Sequence, residues 1–174
     1  TADRFVEAFG EADYIQALEQ RRAGSLALPL SLYIHVPFCE SVCYYCACNK
    51  VITKDHSKAG EYIGYLKREA DLVGERLTGS REIEQLHFGG GTPTFLTSLE
   101  IDRLIEKLGS HFKLSSDPGR EYSIELDPRT ISRDTLRDLA HVGFNRCSLG
   151  IQDFDPLVQE AVNRIQSVPD TLRL

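Results

Sequence analysis

The stretch Val36-Pro37-Phe38-Cys39-Glu40-Ser41-Val42-Cys43-Tyr44-Tyr45-Cys46-Ala47-Cys48 carries four cysteines, spaced C-x3-C-x2-C-x-C, at the end of the apolar run Leu32-Tyr33-Ile34-His35-Val36. That run is rich in strand formers, so the thiols sit on a loop leaving a strand. Thiolates this close in sequence converge on one soft centre or cross-link. Cys39, Cys43 and Cys46 in this spacing can cap three corners of a cuboidal 4Fe–4S cluster and leave the fourth iron open for a small ligand. A structural zinc site usually draws paired ligands from knuckles well apart in sequence. Here no second Cys/His cluster follows, and the remaining cysteine, Cys147, is solitary. A disulfide framework belongs to an oxidising compartment, and no secretory h-region with a cleavage site points to one. Of the three readings, iron–sulfur fits the spacing best.

Outward from this loop the chain alternates strand and helix. Ala59, Tyr62, Ile63, Leu66, Ala70, Val73 and Leu77 recur at helical spacing and form one apolar stripe. Residues 83–88 read as a second strand, closed by Gly89-Gly90-Gly91. Thr97 or Ser98 can cap a second helix that buries Ile101, Leu104, Ile105, Leu108 and Phe112. Asp117-Pro118-Gly119 turns the chain into a third strand, 122–126, and Thr130 or Ser132 caps a helix stopped by Gly143. Residues 146–151 read as a fourth strand and Asp155 to Gln166 as a fourth helix, with Cys147 expected as a buried, inert thiol. Strands alternating with helices in this way imply an α/β fold of βαβ units around a parallel sheet. Residues 1–30 read as an N-terminal extension with helix around 11–22, and 31–174 as the α/β body.

Composition bounds the function. The chain has 174 residues, 41% hydrophobic and 26% charged, within the ordinary globular range. No apolar run nears the roughly 20 residues needed to span a bilayer. A net charge of −6 disfavours a non-specific nucleic-acid binder. We therefore expect a soluble cytoplasmic enzyme that spans no membrane and does not bind nucleic acid.

Ligands of α/β folds gather at the carboxyl ends of parallel strands. The cysteine loop, the triple glycine, Glu125 and Gln152 all fall at such ends. The triple glycine is neither a dinucleotide fingerprint nor a P-loop, and by itself reads as a tight turn more readily than as a site. Glu125 suits an ammonium ligand or a salt bridge; Gln152 suits sugar hydroxyls or backbone. Arg164 suits a carboxylate fork or a solvated helix face. His87 is given no role.

The segment 33–50 resembles the oxygen-independent coproporphyrinogen III oxidase family, radical S-adenosylmethionine (SAM) enzymes of heme biosynthesis. So do Leu86-His87-Phe88-Gly89-Gly90-Gly91-Thr92-Pro93-Thr94, Ser123-Ile124-Glu125-Leu126-Asp127-Pro128-Arg129, and residues 143–146, 148–154 and 162–166. The cysteine triplet is shared by the whole superfamily; Cys48 followed by Asn49-Lys50 is more specific. The resemblance implies a partial (β/α) barrel of radical SAM type, with about four βα units present in this chain. It implies a 4Fe–4S cluster on Cys39, Cys43 and Cys46, with Cys48 required but not a ligand. Tyr33 and His35 match active-site positions. Tyr45 would lie near the adenine of SAM. Gly91, Thr92 and Glu125 would receive its amino group, Gln152 its ribose and Arg164 its carboxylate. A second SAM would lie beside Gly90 and Gly91.

The implied reaction begins with an electron from a flavodoxin- or ferredoxin-like donor and generates a 5′-deoxyadenosyl radical. Two propionates of coproporphyrinogen III are then decarboxylated to vinyl groups. Alternatives within the resemblance are a non-catalytic heme chaperone, which typically lacks the fourth cysteine, and a radical SAM enzyme that methylates or opens porphyrins. The family implies about six βα units plus a C-terminal domain, and the chain contains no methionine. A fragment of a longer protein is therefore expected, with its oligomeric state open.

Overall fold

The computed structural model describes residues 6–20, 29–77 and 81–174. Its strands are β1 (Leu30–Val36), β2 (Phe38–Cys39), β3 (Val51–Ile52), β4 (Glu82–Gly90), β5 (Lys113–Leu114), β6 (Glu121–Leu126) and β7 (Arg146–Leu149). The helices are α1 (Glu11–Gln20), α2 (Ser57–Arg76), α3 (Ser98–Gly109), α4 (Arg133–Val142), α5 (Pro156–Ala161) and α6 (Val168–Leu172). The main sheet runs β1-β4-β6-β7 with β5 beside the start of β4, and every pairing is parallel. A second, two-stranded parallel ladder, β2 with β3, closes the cysteine loop.

Apolar alternation decides which face meets the helices. Ile34 and Val36 of β1, Leu86 and Phe88 of β4, and Tyr122, Ile124 and Leu126 of β6 are buried. They pack with Ala59, Ile63 and Ala70 of α2, Ile101, Leu104 and Leu108 of α3, and Leu139 of α4 in one core. Ile83 would point the wrong way by strict alternation. A bulge corrects this: Leu30 pairs with Ile83 but Ser31 with Gln85, so Glu84 is skipped and Ile83 is fully buried. Phe88, wholly buried and edge-on to Phe144 at 5.3 Å between ring centroids, is the largest such side chain. Phe88→Ala is expected to cost about 3–5 kcal/mol, read by urea denaturation.

The opposite face is polar. Ser31 donates to Gln85, which donates to Glu121, itself paired with Arg146. One layer nearer the carboxyl ends, Tyr33, His87 and Ser123 lie in register. The sheet therefore separates an apolar, helix-packed side from a hydrogen-bonding polar side.

Helix starts follow the expected chemistry. Thr97 and Ser132 each form a capping box, with Glu100 and Thr135 respectively, and Gly143 ends α4. α1 ends at Gln20, and positions 21 and 22 lie outside the described residues.

Four expectations need correction. β1 starts at Leu30, two residues before the predicted run and inside the predicted extension, because Leu30 already pairs with Ile83. β4 continues through Gly90, so the first two glycines are strand rather than turn. The predicted helix from Asp155 to Gln166 stops at Ala161, because Asn163 turns left-handed with φ 53°. Cys147 is exposed, not buried. It pairs with Ile124 on edge strand β7, and no described element covers it there.

Candidate active site

The cysteine loop is anchored at both ends by backbone. Val51 N donates to Pro37 O at 2.7 Å and Thr53 N to Cys39 O at 2.9 Å. Lys50 Nζ donates to Cys46 O at 2.8 Å, and Cys46 N closes a turn onto Cys43 O at 3.1 Å. The left-handed Asn163 carries the third anchor. Its side-chain amide donates to Val42 O at 2.7 Å, and Tyr44 N donates to Val162 O at 3.1 Å. The break in the fourth helix therefore stitches the end of α5 to the cysteine loop and turns Arg164 inward.

A cavity of about 530 Å³ opens at this rim. Cys39, Cys43, Cys46, Cys48, Tyr45, Gly90, Gly91, Thr92, Glu125, Gln152 and Arg164 all line it. Every sequence-predicted site residue is thus brought together except Tyr33 and His35, which stand on β1 next to Gly89 and Gly90. Tyr33 Oη lies 3.1 Å from His35 Nδ1, and His35 Nε2 lies 2.9 Å from Asn49 O. Among the described residues no three His, Cys, Asp or Glu side chains close on a single-ion site. The thiols instead stand around the cavity wall.

The glycines are there for close approach. Gly90 has φ 115°, and Gly91 N donates to Val36 O at 2.8 Å as Thr92 N does to Phe38 O at 2.7 Å. The Thr92 hydroxyl lies 3.6 Å from Cys39 Sγ. Burial pushes the Cys39 thiol up, an effect opposed by Thr92 and reinforced by Cys46 and Cys43. Glu125 accepts from Gly90 N at 3.2 Å and lies 3.5 Å from His87 Nε2. Burial also raises the Tyr33 phenol, and the charges of Glu125 and Cys48 add to it, so these three groups share one neighbourhood.

Sequence reasoning missed four contributors. His87 stacks on Tyr33 at 5.7 Å and bonds Ser123 at 2.7 Å, which fixes the ring beside Glu125. Lys50 holds the loop, as described. Asp127 and Arg129, which follow β6, form an ion pair with a buried carboxylate: Arg129 reaches it through Nε at 2.9 Å and Nη2 at 2.5 Å. Arg164 adds a contact at 3.3 Å. A charged Asp-Pro-Arg run directly after a rim strand was the signal that marked them.

Burial alone would raise the Asp127 carboxyl, but Arg129 hydrogen bonds and the charges of Arg164 and Arg129 hold it below the ordinary carboxylate value. A group titrating lower in the folded state contributes stability above its unfolded pKa and loses it as pH falls through the folded value. Asp127→Asn is therefore expected to cost about 3 kcal/mol at neutral pH, by leaving two guanidinium groups unpaired. The gap from the parent should close below the ordinary value of 3.8, as acid protonates the parent carboxyl. Urea midpoints across an acid series check this.

The comparison that decides the family is with the radical SAM superfamily model, which matches residues 33–174. The chain belongs to the radical SAM superfamily. Within it, the chain is 49% identical to the oxygen-independent coproporphyrinogen III oxidase of Pseudomonas aeruginosa, over 98% of this chain and 37% of that protein. The Escherichia coli protein of the same name is 45% identical, over 95% and 35% respectively. A solved coproporphyrinogen III oxidase from Escherichia coli, described as a radical SAM enzyme, superimposes with a TM-score of 0.86 at 43% identity, across 98% of this chain and 38% of that one. The radical SAM chain thus spans a little over a third of the relatives it matches.

Radical SAM proteins use a 4Fe–4S cluster and SAM, and the residues here fit that pair. Three thiols and a glycine cradle share one cavity. Arg164 Nε and Thr94 Oγ1, on two residues of its wall, are buried polar atoms without a hydrogen-bond partner. No helix among the described residues is long and apolar enough to cross a membrane.

Proposed function

We propose that this chain is the cofactor-binding part of a longer cytoplasmic oxidoreductase. Its reaction is the decarboxylation of two coproporphyrinogen III propionates to vinyl groups, in heme biosynthesis. The observation carrying this reading is that three loop thiols, Gly90-Gly91-Thr92, Glu125, Gln152 and Arg164 meet around one cavity at the strand ends. Residues 30–174 form the N-terminal part of the barrel, and the remaining strands and a C-terminal domain belong to the longer parent.

Cys39, Cys43 and Cys46 bind the cluster. Glu125, with Gly91 and Thr92, takes the SAM ammonium; Arg164 takes the carboxylate, Gln152 the ribose hydroxyls, and Tyr45 flanks the adenine. Gly90 and Gly91 leave room for a second SAM. When bound, these cofactors supply the one-electron chemistry that removes hydrogen from a propionate chain, the electron coming from a flavodoxin- or ferredoxin-like donor. Tyr33, His35 and Cys48 stand on the substrate side. The sheet and the anchored loop hold these groups in place.

The test uses the full-length parent, reconstituted anaerobically with iron and sulfide and supplied with SAM, a reductant and coproporphyrinogen III. Mass spectrometry should show 5′-deoxyadenosine and a tetrapyrrole lacking two carboxyl groups. Unchanged substrate with tight heme binding would place the protein among heme chaperones. Glu125→Gln removes the charge facing the ammonium. Calorimetry of the cluster-loaded parent should show SAM affinity about 10–100-fold weaker, the worth of one charged hydrogen bond.

A further inference from the structure

Buried charges need partners, and the group around Asp127 is not neutral in itself. Asp127 is 7% exposed and Arg164 9%; Arg129 is partly buried beside them. One carboxylate sits between two guanidinium groups, leaving a net positive charge. The Asp127 side fixes both arginines: Arg129 through its backbone N, Nε and Nη2, and Arg164 through Nη2, which also donates to Gly150 O at 2.8 Å. Both then reach one sulfur. Arg164 Nη1 lies 3.6 Å and Arg129 Nη2 4.0 Å from Cys43 Sγ. Two cationic groups, both fixed by one carboxylate, therefore converge on a single sulfur. By contrast, among the described residues the side-chain donor to Cys39 Sγ is the neutral Thr92 hydroxyl.

We infer that Arg129 is a positioning residue that, clamped by Asp127 and working alongside Arg164, donates to the Cys43 thiolate and raises the reduction potential of the cluster bound there. The inference rests on the proposed ligation of the cluster by Cys43. Hydrogen bonds and positive charge at a ligating sulfur stabilise the reduced, more negative cluster. Arg129 is the separable partner, because Arg164 is also assigned to the SAM carboxylate through its unpartnered Nε.

The experiment is an anaerobic redox titration of the reconstituted full-length parent without SAM, followed by electron paramagnetic resonance. Arg129→Gln should keep its iron and shift the one-electron reduction equilibrium about tenfold toward the oxidised cluster, a fall of ~59 mV in midpoint. Arg129→Lys, which keeps the charge but loses the fork, should fall less. An iron-loaded Arg129→Gln with the parental midpoint overturns the inference while leaving the cofactor assignment standing. A parent that assembles no cluster overturns the proposed function as well. If Arg129→Gln does not hold its cluster, Arg129→Lys is titrated in its place: a midpoint below the parent's supports the inference, and the parental midpoint overturns it.

Discussion

Cys43→Ala in the full-length parent is expected to yield protein with no 4Fe–4S cluster after anaerobic reconstitution, with product formation at background. Cys39→Ala and Cys46→Ala should behave alike, whereas Cys48→Ser should retain about four irons per chain and still lose turnover. The contrast follows from where the sulfurs stand. Cys43 is gripped from below by two guanidinium groups, and Cys39 by the Thr92 hydroxyl, so both point inward against fixed partners. Cys48 is the exposed thiol of the four, past the turn that Lys50 closes, within the electrostatic reach of Tyr33 and Glu125. The proposed function makes that the substrate side. The measurements are iron and sulfide content, the visible spectrum, and product by mass spectrometry. Loss of iron in Cys48→Ser would make it a ligand and overturn the assignment.

Gly91→Ala carries the second large effect. A Cβ at Gly91 would sit 2.7 Å from Phe38 O, 2.8 Å from Pro37 O and 2.9 Å from Cys39 Sγ. Two of these are backbone atoms of the segment that presents Cys39, held by Thr92 N and Val51 N, and they cannot swing aside as a side-chain tip would. The loop must move, at a cost of about 3 kcal/mol, the upper part of the overpacking range. Cys39 moves with it, so cluster loading is lost together with stability. Gly60→Ala is the control: it lies inside α2 with nothing within 4 Å of a new Cβ, and should gain about 0.5–1 kcal/mol. If Gly91→Ala matched Gly60→Ala in urea midpoint and iron content, the cradle would have no such role.

Much of this was legible in the residues. The stripe from Ala59 to Leu77 became one buried helix face because its period matches 3.6 residues per turn, and the caps Thr97 and Ser132 fell where their side chains satisfy the first free amides. The rim residues could be placed on one side of the sheet because parallel strands joined by helices put all their carboxyl ends together. The sequence places Arg164 in a helix, since nothing in Val162-Asn163-Arg164 announces that Asn163 will turn left-handed. Its side chain does so to bond Val42, a residue far earlier in the chain. Cys147 was read as buried from its apolar strand, but burial depends on what packs over an edge.

Local chemistry along the chain therefore determined the elements, the cysteine spacing and the rim on which the chemistry sits. These depend on periodicity, capping and chain direction, all of which are short-range. Tertiary structure alone decided that Arg129 and Arg164 share Asp127 and meet at one sulfur, that His87 lies beside Glu125, and that Cys147 is exposed. Those outcomes turn on the placement in space of residues distant in sequence, and on charge that must be balanced where water is excluded.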